Sequence, residues 1–247
     1  MKRFFILLYL SPCILTLPLT GSGQNTEDVR ESLVNNALSE VASLYDRTMK
    51  QNSFIYNGRI YRDNFDAIRG HQYFKEESWV NSKMIFEGES FDSVFIMYDI
   101  YNDLVLLENY NEKGRLAPII LNSRDITVFY LHDHTFIYLQ EDTVLNMPEG
   151  IYDELYSESS IYLFAKRSKE IIKTTKWNDL LEDFVENDEY YLKKDGLYHR
   201  IKNMKSFLKV FKDRKKRLKI YIRKNNLYYL ESFEEALIKI IAYNETL

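Results

Sequence analysis

From Phe54 to Arg167 the chain is cut into short aromatic and β-branched runs, separated by polar links of mostly two to five residues. This spacing constrains the fold more than any other feature. A parallel strand pair needs a crossover of a dozen residues or more, which such links cannot supply. Antiparallel hairpins are the remaining way to pair the runs. Strands are predicted near His71–Lys75, Lys83–Glu87, Ser93–Tyr98, Leu104–Glu108, Pro118–Asn122, Ile126–Leu131, Thr135–Gln140, Tyr152–Tyr156 and Tyr162–Lys166. The links fall at Gly88-Glu89, Tyr101-Asn102-Asp103, Asn111-Glu112-Lys113-Gly114, Ser123-Arg124-Asp125 and His132-Asp133-His134. A further hairpin is expected where Asp195-Gly196 joins Tyr190–Lys194 to Leu197–Ile201, because Asp-Gly suits a turn with positive φ at both central positions.

Helices flank this β-rich stretch. Val29, Leu33, Ala37, Val41 and Leu44 recur at helical spacing within Thr26–Lys50, opposite Arg30, Glu31, Asn35, Asn36 and Glu40, so an amphipathic helix resting on an apolar surface is expected. Lys169–Asn187 is mixed and reads as helical around Trp177–Val185. Met204, Leu208, Phe211, Leu218 and Ile222 predict one helix ending at Asn225-Asn226 in the left-handed conformation, with Lys215 the single break in the row. Ser232 and Glu235 form a capping box for a last helix, Phe233–Tyr243.

Residues 1–23 have the layout of a secretory signal peptide: Lys2 and Arg3, an apolar stretch broken by Ser11, Pro12 and Pro18, then Gly21-Ser22-Gly23. Cleavage before Gln24 is expected. The stretch is short for a membrane span, so a soluble exported protein, periplasmic or secreted, with no transmembrane segment is expected. Cys13 is the only cysteine and lies inside the signal; Pro12 before it argues against lipid anchoring. The mature chain then has no disulfide, and its stability rests on a packed core. The organisation expected is 1–23 signal, 24–201 N-terminal helix plus β domain, and 202–247 helices packed on that domain.

Charge is uneven. Lys202–Lys224 carries eleven Lys/Arg against Asp213, a local +10, while the rest of the mature chain sums to −16. Contact with a membrane surface through Lys202–Lys224 is one reading. A solvated helix face, or one lying against the acidic remainder, is the simpler reading and is favoured. Nucleic acid is not expected as a partner of an exported chain.

Several short motifs stand in order: Tyr56-Asn57-Gly58 with Tyr61, Gly70-His71-Gln72-Tyr73-Phe74, Tyr98-Asp99-Ile100 with Asp103, and His134-Thr135-Phe136. Gly150-Ile151-Tyr152-Asp153-Glu154-Leu155-Tyr156, Lys166-Arg167-Ser168-Lys169 and Tyr190-Tyr191 complete them. Together they resemble a group of uncharacterised secreted or cell-envelope proteins of Bacteroidota. The resemblance implies an exported location and no particular activity.

Candidate chemistry is sparse. His132 and His134 on one strand would face the same side, with His71 or a carboxylate completing a metal site; a hairpin turn over His132-Asp133-His134 is the favoured alternative. Asp99, Asp103, Asp153 and Glu154 adjoin strands and offer the carboxylates of a glycoside hydrolase, but Tyr98–Asp103 reads more simply as an Asx-rich turn. With no cysteine after the signal, thiol catalysis is excluded, and His199 is the sole further base for a serine nucleophile. Trp79, Tyr73, Tyr130 and Tyr138 offer rings for sugar stacking, against the simpler role of half-buried sheet tyrosines. No catalytic residue, metal ligand or cofactor is assigned. The expectation is an α+β protein, an antiparallel meander curled into a barrel-like or sandwich-like sheet, with an N-terminal amphipathic helix and a C-terminal helical tail. Its expected role is a non-enzymatic exported protein binding a ligand or partner, the alternative being a hydrolase of envelope or dietary polymers.

Overall fold

The computed structural model describes residues 30–41, 54–63, 65, 67–141, 147–158, 160–176, 179–229 and 232–247. The chain divides into two compact units, Met1–Asn52 and Ser53–Leu247. In the first, helix α1 spans residues 30–41, and all of it is exposed, Leu33, Val34, Leu38 and Val41 included. The expected signal peptide with Cys13, and both ends of the helix predicted over Thr26–Lys50, lie outside the described residues.

The second unit is built on strands β1 (Arg59–Ile60), β2 (Val80–Phe86), β3 (Glu89–Asp99), β4 (Leu104–Leu107), β5 (Ile119–Ile120), β6 (Ile126–Leu131) and β7 (His134–Leu139). They continue with β8 (Gly150–Glu158), β9 (Ile161–Lys166), β10 (Lys169–Lys176), β11 (Asp179–Glu186), β12 (Glu189–Lys194) and β13 (Leu197–Ile201). Eleven strands form one antiparallel sheet in the order β1-β5-β4-β3-β2-β6-β7-β8-β9-β12-β13, and β10 and β11 pair apart from it. The order is linear, with β1 and β13 as its two ends. No pairing among the described residues closes it, so no closed barrel is found there, and the α+β architecture on an antiparallel sheet stands.

Turn chemistry sets the register. Glu87-Gly88 and Asp195-Gly196 each have positive φ at both residues (51° and 80°, 53° and 78°), which is what tight two-residue hairpins require. The first of these sits one residue before the expected Gly88-Glu89 link. Such a shift matters, because sliding by one residue moves every side chain to the opposite face. His132 takes a φ of 54° in the β6–β7 turn, and His134 pairs with Leu131 to open β7.

The sheet curls. Asp103, before β4, and Lys166, at the end of β9, are six strand intervals apart, roughly 29 Å across a flat sheet at about 4.8 Å each. Their side chains nevertheless meet at 2.5 Å. One core therefore gathers residues from β2 to β8, including Ile96, Tyr98, Leu107, Leu121, Phe129, Phe136 and Ile151, and Phe129 stacks on Phe136 at 4.9 Å. Beyond it, β9 shows its two faces by alternation: Ile161 and Leu163 enter the core beneath the C-terminal helices, while Tyr162 and Phe164 join Tyr152 and Tyr191 on the other side.

Those helices are α2 (Met204–Val210), α3 (Lys215–Lys224) and α4 (Phe233–Glu245). The single helix expected up to Asn225 is broken at Phe211–Arg214. Phe211 still buries with Leu208, Leu218 and Ile222, so the apolar row survives the interruption. Asn203 caps α2 through a reciprocal box with Ser206, Asn226 ends α3 at a φ of 54°, and the Ser232 side chain accepts from Glu235 N at the start of α4.

The helix expected around Trp177–Val185 is instead a strand, β11, in a hairpin with β10. Ile171, Ile172, Thr174 and Thr175 favour extended backbone. The decisive contacts come from far away in sequence. Phe184 meets Phe65 and Tyr101, each ring pair at 5.4 Å, and Phe184 N donates to Arg69 O.

Candidate functional site

At the end of the curl where β4 and β8 begin and β5 ends, a cleft of about 710 Å³ opens. The 3-10 turns Phe54–Tyr56 and Ser123–Asp125 flank it, and Asn57, Asn102, Asn122, Ser123 and Tyr138 offer amides and hydroxyls. Gly150 forms part of its wall at a φ of 142°. A Cβ there would land on Lys166 Nζ and Asp103 Oδ2, so only glycine lets the strand pass over that ion pair.

Most ionisable groups lining the cleft are engaged. Asp103 accepts from Lys166 Nζ at 2.5 Å and from the Tyr98 hydroxyl at 2.6 Å. Burial, and then the Asp103 charge, push the Tyr98 phenol well up, so it stays a donor. Arg124 forks onto both oxygens of Glu149 at 2.9 and 3.0 Å, and the Tyr138 hydroxyl donates to the same carboxylate at 3.0 Å. The Arg124 hydrogen bond, and then that of Tyr138, hold Glu149 below the usual glutamate range. Asn122 Nδ2 donates to Asp125 at 2.6 Å. Among the described residues, Arg59 and Glu87 are the ionisable lining side chains that make no side-chain hydrogen bond or ion pair.

Away from that lining lies a buried ionic hub. Arg167, 8% exposed, donates Nε and Nη2 to Asp153 Oδ2 at 2.9 and 2.6 Å, and Nη1 to Asp188 and Glu234 at 2.7 and 2.8 Å. Burial pulls this guanidinium down, but Glu234, Asp153 and Asp188 together outweigh it and raise its pKa. His134 Nδ1 shares Asp153 Oδ2 at 2.6 Å, while Asp153 Oδ1 has no partner among the described residues. The His134 ring packs edge-on against Phe74 and alongside Phe136, and Arg167 sits over the same Phe74 ring. Aromatic walls of this kind fix the imidazole in place as a packing element.

The candidates read from sequence separate. His132 reaches Glu76 and His134 reaches Asp153, so they do not share a site. His71 stacks on Tyr73 beside Lys169. Among the described residues no cluster of three or more His, Asp or Glu is placed to hold a metal. Asp99, fully buried, accepts from Tyr101 N, Asn102 N, Asn102 Nδ2 and the Tyr61 hydroxyl, which makes Tyr98–Asp103 an Asx turn. Glu154 lies on β8 opposite Phe164. Tyr73 is buried, Trp79 packs beside it, Tyr130 is exposed, and Tyr138 alone of the four lines the cleft. His199 lies half-buried on β13. Sequence reasoning missed Lys166, Arg167, Asp188 and Glu234 as a charge system, though Lys166 and Arg167 stand in a quoted motif. No protein-family model, curated protein or solved structure matches the chain.

Proposed function

We propose that this chain is an exported, non-enzymatic binding protein that holds a small hydroxyl-rich ligand in the cleft lined by Phe54, Asn122 and Tyr138. One observation carries this reading: three of the four lining carboxylates, Asp103, Glu149 and Asp125, already accept from protein donors, so apart from Arg59 and the single free carboxylate of Glu87 the cleft offers a ligand amides, hydroxyls and ring faces. A hydrolase needs two carboxylates open to substrate, one of them holding a proton. Asp103 and Glu149, bound to Lys166 and Arg124, are poorly suited to either task. The signal layout of residues 1–23 supports export.

Thermal melting with neutral hexoses, N-acetylhexosamines and their oligosaccharides tests the reading. At about 100 times its Kd a ligand adds about 2.7 kcal/mol, so at least one sugar should raise Tm by several degrees. That shift should vanish in Tyr138→Ala and Asn122→Ala. A panel of sugars that leaves Tm unchanged would sink the proposal. So would turnover of p-nitrophenyl glycosides that Asp103→Asn or Glu149→Gln abolishes.

A further inference from the structure

The apolar row of α3 fixes which way its charges point. Leu218 and Ile222 are buried against α4 and the sheet, with Lys215 and Tyr221 half-buried beside them. At about 100° per residue, the direction opposite Leu218 and Ile222 is occupied by Ile220. Lys216 and Arg223 lie on one side of it, Arg217 and Lys224 on the other, and Lys219 completes the rim; all are exposed, Ile220 at 67%.

None of the eleven cations in Lys202–Lys224 forms an ion pair with a described residue; among their side chains, Arg214 donates to the Asn244 carbonyl at 2.5 Å. Elsewhere, exposed cations do pair where an acid is in reach, as Arg124 does with Glu149, Lys173 with Glu182 and Lys239 with Glu235. The described acidic residues therefore form no ion pair with this face. An apolar side chain centred among unpaired cations suits a phospholipid surface: the cations meet headgroup phosphates and the aliphatic tip enters the boundary with the acyl chains. Nucleic acid phosphates would use the cations and leave Ile220 idle. We propose that the outward face of α3 docks on an anionic phospholipid bilayer through Lys216, Arg217, Lys219, Arg223 and Lys224, with Ile220 inserted between them. No helix among the described residues is long and apolar enough to cross a membrane, so this contact is peripheral. The full chain's net charge of −14 outside the basic segment is repelled by such a surface, which turns α3 toward it.

Co-sedimentation of the full chain with vesicles of phosphatidylcholine, alone or with about 30% phosphatidylglycerol, tests this. The readout is the ratio of protein bound on anionic over neutral vesicles; Lys2 and Arg3 contribute equally in every variant, so the change on substitution reports α3. The ratio should be about tenfold or more at about 0.05 M NaCl and fall toward one at about 0.5 M. Replacing the five cations by Gln should bring it near one, and Ile220→Ser should lower it about threefold with every charge retained. Both changes are at exposed positions, and unchanged melting would show that the fold is intact. A wild-type ratio near one would overturn the proposal. So would binding that is lost with the five Gln residues, indifferent to Ile220→Ser and matched on a random-sequence DNA duplex.

Discussion

Arg167 is where a single side chain holds most together. Its three acceptors come from β8, from the approach to β12 and from α4, so one guanidinium ties the sheet to the last helix. Removing one partner of a buried ion pair costs about 3–5 kcal/mol, because the other charge is left uncompensated in a medium that solvates it badly. Arg167→Leu leaves Asp153, Asp188 and Glu234 with no shared cation. Urea unfolding should register a loss in that range, and adding Asp153→Asn should return part of it by removing the most deeply buried of the three charges. A loss under about 1 kcal/mol, or no recovery in the double variant, would show that the hub is not what fastens α4. The motif Lys166-Arg167-Ser168-Lys169 is visible in the sequence, but its role is not. The partners lie 14, 21 and 67 residues away, and nothing local to Arg167 encodes them.

Elements were legible where their signal is local. Asp195-Gly196 demands positive φ at two successive residues, which few dipeptides supply cheaply, and the β12–β13 turn follows. The β10–β11 hairpin is the opposite case. Leu180, Leu181 and Phe184 stand at spacing that serves a helix as well as a strand. A lone two-stranded hairpin is at best marginally stable in water, so its docking through Phe184 onto Phe65 and Tyr101 must hold it. Aromatic pairs add about 0.5–1.5 kcal/mol each beyond the area they bury. Phe184→Ala should therefore collapse amide-exchange protection across β10–β11 and leave that of β2–β9 close to wild type. Protection that persists in the hairpin would mean its own pairing suffices. The break between α2 and α3 was hidden for a related reason: Phe211 keeps the spacing of its apolar row whether or not the backbone stays helical through Arg214.

At the scale of the whole molecule, the succession of hairpins and a curled sheet could be expected from short links, but which strands the curl brings together could not. It depends on contacts such as Asp103 with Lys166, and no periodicity records which ends of a sheet meet. The same burial gives the molecule a pH dependence with a definite sign. Burial, and then the nearby Lys169 charge, lower the pKa of His71; burial, and then Lys194, lower that of His199. Around these groups, beside and across from them, stand Lys169, Glu77 and Glu186 for the first and Lys194 and Asp195 for the second. Both histidines bind protons less readily folded than unfolded, where the value is about 6.5. Stability then rises with pH wherever the unfolded chain holds more protons. Their contribution is fully present above about 6.5 and is lost as pH falls through that value and the lower folded ones. The urea midpoint should drop as pH goes from about 7.5 to about 5.5, and a His71→Gln, His199→Gln double variant should show a shallower fall over the same window. An equal slope in that variant would assign the titration to other groups. A midpoint that rises on acidification would contradict the burial of both rings.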